Sequence, residues 1–303
     1  MVRLRLAAAA AGRLYEYPQG GISVSNNPGR LFVVATPIGN LEDISARAVA
    51  VLGGVGRIAA EDTRHTAALL SHLGIRRPLL SLHEHNEAVR VERVVAALAA
   101  GEDVALVSDA GTPLISDPGY RLVRELRHQG YAVTPVPGAC SVIAALSVAG
   151  LPSDRFVYEG FLPAKAQQRA RRLQALAAEA RTVVMLESGH RIAASLEAMA
   201  ASFGGDREAC LARELTKRFE TVRLATLDEL AAWVAADANQ RRGEFVLMVR
   251  GVEAQAVADT VTVDALIDEL AGEMPPRRAA RLLARLTGGS ANTFYRRLAR
   301  EDG

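Results

Sequence analysis

Two acids, two glycines and two prolines share the thirteen residues of VSDAGTPLISDPG, positions 107–119. Proline fixes φ and glycine lets a backbone come close to a partner, so Pro113, Pro118, Gly111 and Gly119 describe a stiff, shaped loop. Asp109 and Asp117 give that loop charge. It follows the apolar run DVALV, which places it at the end of a buried strand. TPIGN (36–40) closes an earlier strand pattern, and EDTR (61–64) the one after it. Alone, TPIGN is an ordinary turn between strand and helix. Taken with the Asp109 loop at a neighbouring strand end, it describes a cleft for a small polar ligand.

Other reactive residues are sparser. In HEH (83–85), His83 and His85 would share one face of a strand, but no third ligand stands at a metal-binding spacing, so a polar pocket edge is expected and no metal. Cys140 opens an apolar helix and has the character of a small core residue. ELTKRFE brings Glu214, Lys217 and Glu220 close to a strand end. Glu214 and Lys217 are either a solvated ion pair of little worth or the lining of a site where a proton is removed. Lys217 tilts the balance toward the second. It is one of two lysines, with Lys165, among 36 cationic side chains, and an ammonium can shed a proton on desolvation where a guanidinium cannot. The G-x-G-x-x-G and G-x-x-x-x-G-K-[ST] phosphate loops are absent, which leaves a nicotinamide or nucleoside triphosphate site little support. G-x-S-x-G is also missing, against a serine hydrolase.

The elements that must carry these loops are legible as periodicity. LFVVA, VGRIAA, PLLSL, DVALVS and AVTPV alternate with helical patterns such as DISARAVAVL, HTAALLSHLG, EAVRVERVVAALAAG, YRLVRELRHQG and CSVIAALSVAG. Such alternation predicts an α/β fold with a largely parallel sheet, helices on both faces and ligands beyond the carboxyl ends of the strands. LPSD (151–154) marks a boundary. Beyond it come FVYEGF, a basic helix over 163–180, TVVMLES, a helix at RIAASLEAMAASFG, and the strands ACLAREL, FETVRLA and FVLMV. The short connection between ACLAREL and FETVRLA predicts an antiparallel pair, and Thr226 with Glu229 a capping box. The expected divisions are a flexible leader over 1–29, an N-terminal α/β domain over 30–150, a second, mixed-sheet α/β domain over 151–255 and a helical unit over 256–303.

Composition sets the outer bounds. Half of the 303 residues are apolar and the net charge is +2, as expected for a globular chain of about two domains. No apolar run approaches the roughly 20 residues of a membrane-spanning helix. Two cysteines, Cys140 and Cys210, make no disulfide framework, which suits a reducing cytoplasm.

TPIGNLED, AAEDTRHT, LHEHNE, LVSDAGTPLISDPGY, VPGACSVIAALSVAGLP, YEGFLPAK, ELTKRFE and GEFVLMV occur in this order over roughly 30–251. Together they resemble the small-subunit ribosomal RNA cytidine 2′-O-methyltransferases of the tetrapyrrole (corrin/porphyrin) methylase superfamily. The resemblance implies two α/β domains around an S-adenosyl-L-methionine site, in a homodimer. It also implies which residues border that donor: Asp109, Gly111, Thr112 and Pro113; Pro37, Ile38 and Gly39; Cys140 and Ser141; Met185; Leu211 and Ala212. By their own pattern Met185 and Ala212 belong to a core.

A ribose 2′-hydroxyl is a poor nucleophile that benefits from a base or a placed acceptor. Glu61, His83, Glu214 and Lys217 are the candidates, with Arg64 and Asn86 positioning the nucleotide. Two basic segments offer a path for RNA. Lys165, Arg169, Arg171 and Arg172 crowd one helix start. Arg277, Arg278, Arg281, Arg285, Arg296, Arg297 and Arg300 fill the tail, where ARLLARLTGGSANTFYRRLAR resembles a helix-turn-helix and Phe294 and Tyr295 offer stacking rings. The resemblance implies small ribosomal subunit RNA, at a cytidine of its decoding region, as the partner. The alternatives are a relative of the same fold that methylates a small molecule such as a tetrapyrrole precursor, and a non-catalytic RNA-binding protein.

Overall fold

The structure is a computed structural model that describes residues 28–82, 87–252 and 263–299. His83, Asn86, Arg300 and residues 1–27 of the expected leader lie outside the described residues. Gly29, at the edge of that segment, donates its N–H to the Leu98 carbonyl at 2.8 Å.

The first five strands are β1 (Leu31–Val34), β2 (Arg57–Ala60), β3 (Leu79–Ser81), β4 (Val104–Val107) and β5 (Val133–Val136). They form one parallel sheet in the order β3-β2-β4-β1-β5. Strands β1 and β4 are apolar throughout because both faces are covered. On one face α1 (Ala46–Gly54) and α2 (Thr63–His72) bury Val51, Leu52 and Leu70 against Val34, Ile58 and Val107. On the other, α3 (Glu87–Ala99) and α4 (Tyr120–His128) bury Leu98, Leu122 and Leu126 against Leu31, Ala59 and Leu106.

A second sheet comprises β6 (Phe156–Phe161), β7 (Thr182–Ser188), β8 (Glu208–Arg213), β9 (Thr221–Thr226) and β10 (Glu244–Val249), in the order β6-β7-β10-β8-β9. Only β6 and β7 run parallel; β8 and β9 form the expected antiparallel pair. Helix α5 (Ser141–Val148) joins the two sheets: its Val142, Ala145 and Leu146 share a core with Val184, Cys210, Ala212, Val246 and Met248, and Ile38 of the first sheet's TPIGN loop reaches the same cluster. The opposite face of the second sheet receives α7 (Ile192–Phe203) and α8 (Leu227–Ala236), while α6 (Ala166–Leu176) packs on α7. Thr226 and Glu229 close the capping box at the start of α8. Under α7, Glu187 is 2% exposed; its carboxylate accepts from Ser195 Oγ at 2.6 Å and from the Ser188 N–H at 2.9 Å. The Arg191 Nε lies 3.2 Å from it, near enough for charge pairing though without hydrogen-bond geometry.

The chain divides into two compact units. One contains both sheets and runs to Arg250. The other joins Ala177–Arg181 to the segment from Gly251, with the Val252 N–H donated to the Glu179 carbonyl at 2.9 Å. In this second unit α9 (Val263–Glu273), α10 (Pro276–Thr287) and α11 (Ala291–Leu298) enclose Ile267, Ala279, Ala280, Leu283, Phe294 and Leu298. Gly288, at φ +71°, ends α10 in the left-handed conformation that suits glycine.

Candidate active site

The Asp109 loop is fixed on three sides. Gly111 and Thr36 exchange backbone hydrogen bonds, at 2.8 Å and 3.1 Å, so the loop after β4 is stitched to the loop after β1. Gly111 sits at φ +81°, and a Cβ there would come within 3.2 Å of Ile38 Cγ2; glycine satisfies both conformation and closeness. Thr112 Oγ1 donates to the Ala139 carbonyl at 3.0 Å, which ties in the turn before α5. Asp109 Oδ1 accepts the Asp62 N–H at 2.9 Å and so positions the EDTR loop. Asp62 in turn caps α2 by accepting the Arg64 N–H and pairs with the Arg64 guanidinium at 2.6 Å. Those hydrogen bonds to Arg64 hold the Asp62 carboxyl well below the usual carboxylate range. Arg64 is therefore anchored at its base and open to solvent.

Beside this loop opens a pocket of about 630 Å³ whose walls include Thr112, Gly138, Cys140, Ile143 and Tyr158. An apolar wall with a few placed polar groups is the usual form of a small-molecule site. Tyr158 reaches the Asp109 loop, its hydroxyl sharing a hydrogen bond with Ser116 Oγ at 2.6 Å. Burial raises the Asp117 carboxyl above its ordinary value, opposed by a hydrogen bond from Ser108 and reinforced by the charge of Asp109.

ELTK meets TPIGN across the sheets. The Asn40 N–H donates to Thr216 Oγ1 at 3.1 Å, and Lys217 lies so close to Gly39 that a Cβ there would stand 2.5 Å from Lys217 Cγ. Lys217 Nζ donates to Glu214 Oε1 at 3.0 Å and to Glu244 Oε2 at 2.9 Å. Burial alone would lower the Lys217 ammonium, but the hydrogen bonds and charges of Glu244 and Glu214 outweigh it and leave it above its ordinary value. Burial pushes the Glu214 carboxyl up, and the Glu244 N–H together with Lys217 brings it below its ordinary value. The sequence-based expectation of a desolvated lysine that sheds its proton is thereby corrected. Two carboxylates keep Lys217 a cation.

Backbone strain points to the same two loops. Among the described residues, the non-glycine residues with positive φ are Leu114, Ser116, Glu214 and Thr216. All four lie in the Asp109 and ELTK loops, and strained backbone persists where the surroundings over-determine it, commonly at functional sites.

Pro37, Ile38, Gly39, Asp109, Gly111, Thr112 and Pro113 thus converge, with Cys140 as the N-cap of α5 and Ser141 as its first residue. Glu61 is half-buried at the end of β2. Met185, Leu211 and Ala212 are all buried, but only Ala212 lies on the sheet face that carries α5 and Ile38. Strand alternation turns Met185 and Leu211 to the other face. Lys165 is exposed, whereas Arg169 is 8% exposed and hydrogen-bonds the Ala164 carbonyl at 3.4 Å. Arg169 shares the buried stripe of α6 with Leu173 and Leu176, a four- and seven-residue spacing that sequence reading could have used. In the helical unit Arg281 and Arg296 are exposed, but Phe294 is 7% exposed and belongs to the core, not to a stacking surface. The sequence reading did not single out Tyr158, Thr216 or Glu244.

No group of three His, Cys, Asp or Glu among the described residues could hold a metal ion, and no described helix is long and apolar enough to cross a membrane.

Residues 30–231 match the Tetrapyrrole (Corrin/Porphyrin) Methylases, and residues 257–301 match the RsmI C-terminal HTH domain. The chain is 54% identical over 277 residues to Ribosomal RNA small subunit methyltransferase I of Pseudomonas aeruginosa, covering 91% of this chain and 98% of that one. It is 51% identical to the protein of the same name from Escherichia coli O157:H7, with 93% and 98% covered. Among solved structures, diphthine synthase superposes with a TM-score of 0.58 at 18% identity (74% of this chain, 90% of that one). Uroporphyrin-III-C-methyltransferase from Thermus thermophilus does so at 0.53 and 23% (74% and 96%). These two likenesses concern the fold. Methyltransferases of this kind take their methyl group from S-adenosylmethionine. The chain belongs to the tetrapyrrole methylases and, within them, to the ribosomal RNA small subunit methyltransferase I family.

Proposed function

We propose that this methyltransferase acts on the ribose 2′-hydroxyl of a cytidine in the decoding region of small-subunit ribosomal RNA, as a homodimer in the cytoplasm. The observation that carries this reading is the meeting of Gly39 and Asn40 with Thr216 and Lys217 beside the Asp109 loop. It puts a fixed cation where a nucleotide could lie against the donor pocket. The curated relatives, named as ribosomal RNA small subunit methyltransferases, support the choice of acceptor.

The residues present fit the donor. Gly111 leaves open a backbone cradle that a side chain could not adopt without strain, and the adjoining pocket of about 630 Å³ falls in the range of small-molecule sites. Asp109, Gly111, Thr112, Ile38 and Cys140 would hold it, and when bound it supplies a methyl group on a cationic sulfur. The chain's own work is alignment, since an in-line transfer gains most from holding its reactants in place. Gly39 and Thr216 set the distance between the loops. Glu214 and Glu244 hold the Lys217 ammonium, whose remaining N–H can donate to negative charge developing on the 2′-oxygen. Glu214 commits Oε1 to Lys217 and to the Glu244 N–H, which orients the ammonium, and its carboxylate stays among the candidate proton acceptors. Glu61 and His83 are the other candidates. Arg64 and Asn86 orient the nucleotide, with Lys165, Arg281 and Arg296 as exposed or expected contacts to phosphate.

Exposed apolar side chains support the dimer: Val148 (54% exposed) of α5 and Leu224 (46%) of β9, whose Cδ2 approaches Gly150.

Purified protein, tritiated S-adenosylmethionine and small subunits from a strain lacking the enzyme test the whole reading. Label in 2′-O-methylcytidine after digestion, lost in Asp109→Ala with the fold intact, is the expected result. Donor binding without label in RNA would move the acceptor to a small molecule.

A further inference from the structure

The helical unit offers fewer stacking rings than its sequence suggests, because Phe294 is buried. A different aromatic stands beside the site. Phe219, two residues after Lys217, is 62% exposed. Its ring is open, yet its backbone is held: the Phe219 carbonyl accepts from Thr221 Oγ1 at 3.2 Å and from Arg213 Nη1 at 3.4 Å. Arg213 is 8% exposed, and it also donates to the carbonyls of Arg242, at 2.7 Å, and Asn239, at 2.9 Å. One buried guanidinium therefore fixes both segments that bring Glu214, Lys217 and Glu244 together. The Arg218 guanidinium lies 5.5 Å from the Phe219 ring centroid, and Arg242 is exposed on the neighbouring loop.

An isolated exposed apolar side chain is ordinary. An exposed ring on a pinned backbone, paired with the Arg218 guanidinium, with Arg242 exposed nearby and the acid Glu220 turned back to accept the Thr216 N–H at 2.6 Å, has the form that unpaired RNA bases select: a flat face for stacking with positive charge for the adjacent phosphates. We propose that Arg218 and Phe219 form a stacking platform for one unpaired RNA base next to the methylated nucleotide. This rests on the RNA acceptor proposed above and names a contact within it. The platform is pre-shaped, because Arg213 orders the loop before any RNA arrives.

Two measurements test it. In Phe219→Ala the KM for small subunits should rise about tenfold, the order expected for loss of one stacked base, while donor affinity stays unchanged and Phe219→Trp keeps a KM near that of the parent. In the Trp233→Phe background, the tryptophan of Phe219→Trp reports directly, and its emission should be quenched by an unstructured RNA oligonucleotide. An unchanged KM in Phe219→Ala, or emission indifferent to RNA, would overturn the platform. So would a shift of Phe219→Ala to a slower-sedimenting species, since the ring would then cover a second copy of this chain. Absence of label in RNA with the parent protein would sink the acceptor assignment instead, and the quenching experiment would judge the platform alone.

Discussion

Gly39→Ala adds one methyl group at the closest approach of the two loops. The backbone at residue 39 lies outside the left-handed region, so alanine meets no conformational strain and the whole effect is one of space. The new Cβ would stand 2.5 Å from Lys217 Cγ, 2.8 Å from Thr216 Oγ1 and 3.2 Å from the Leu215 carbonyl oxygen. Carbon atoms prefer separations of about 3.5–4.0 Å, so the loops must part by about 1 Å. Lys217 Cγ is near the root of its side chain and the Leu215 oxygen is backbone, so rotation of a flexible tip cannot absorb the clash. The Asn40–Thr216 hydrogen bond, at 3.1 Å, is lost at a net cost of about 0.5–1.5 kcal/mol. That is a small fraction of the stability of a chain this size. Reactivity is far more sensitive: a misplacement of about 1 Å can cost about 100-fold in rate. The expected outcome is a fall of about 100-fold in kcat/KM for methylation of small subunits, with a loss of only a few degrees in Tm by calorimetry. A Gly39→Ala protein with kcat/KM within about twofold of the parent would show that the contact of the two loops is not what aligns the reactants.

Lys217→Arg should keep a substantial part of the activity and Lys217→Met should lose most of it, because the structure makes residue 217 a fixed cation. The Glu214 carboxyl lies below its ordinary 4.5, so its contribution to stability is present above that value and fades as pH falls through the lower folded value. The Lys217 ammonium lies above its ordinary 10.5, so its contribution is complete below 10.5 and fades only as pH rises through the higher folded value. The pair therefore stays intact from about pH 5 to pH 10 and gives no inflection in the rate near neutrality. A neutral-pH ionisation that disappears in Lys217→Arg would contradict this. Ser195→Ala removes the 2.6 Å donor to the buried Glu187 carboxylate and should cost about 1–3 kcal/mol, read as a lower midpoint in urea. Donor affinity measured by calorimetry should stay unchanged, since Ser195 lies on the α7 side of the second sheet.

Local signals carried much of this architecture. The continuous apolar runs of β1 and β4 reflect burial on both sheet faces, and Thr226-x-x-Glu229 is a cap that closes within its own turn. The Asp109 loop was legible for the same reason: glycine and proline restrict φ wherever they stand, and Gly111 does adopt the conformation that only glycine takes easily.

Contacts between distant segments were not legible. Asn40 and Thr216 meet across 176 positions, and Glu244 reaches Lys217 from a different strand. The protonation state of Lys217 depends on those partners, because an ammonium shifts one way with burial and the other with nearby carboxylates. Residue type alone could not decide which effect wins. The faces of the second sheet posed a similar limit. Periodicity shows that Met185 and Leu211 alternate with their neighbours, but only the docking of α5 determines which face lies toward α5 and Ile38. The sequence by itself determined the strands, the helices and the two shaped loops, because these follow from short-range backbone preference and burial pattern. Tertiary structure alone decided that those loops converge on a held cation, because that depends on how two sheets share one core.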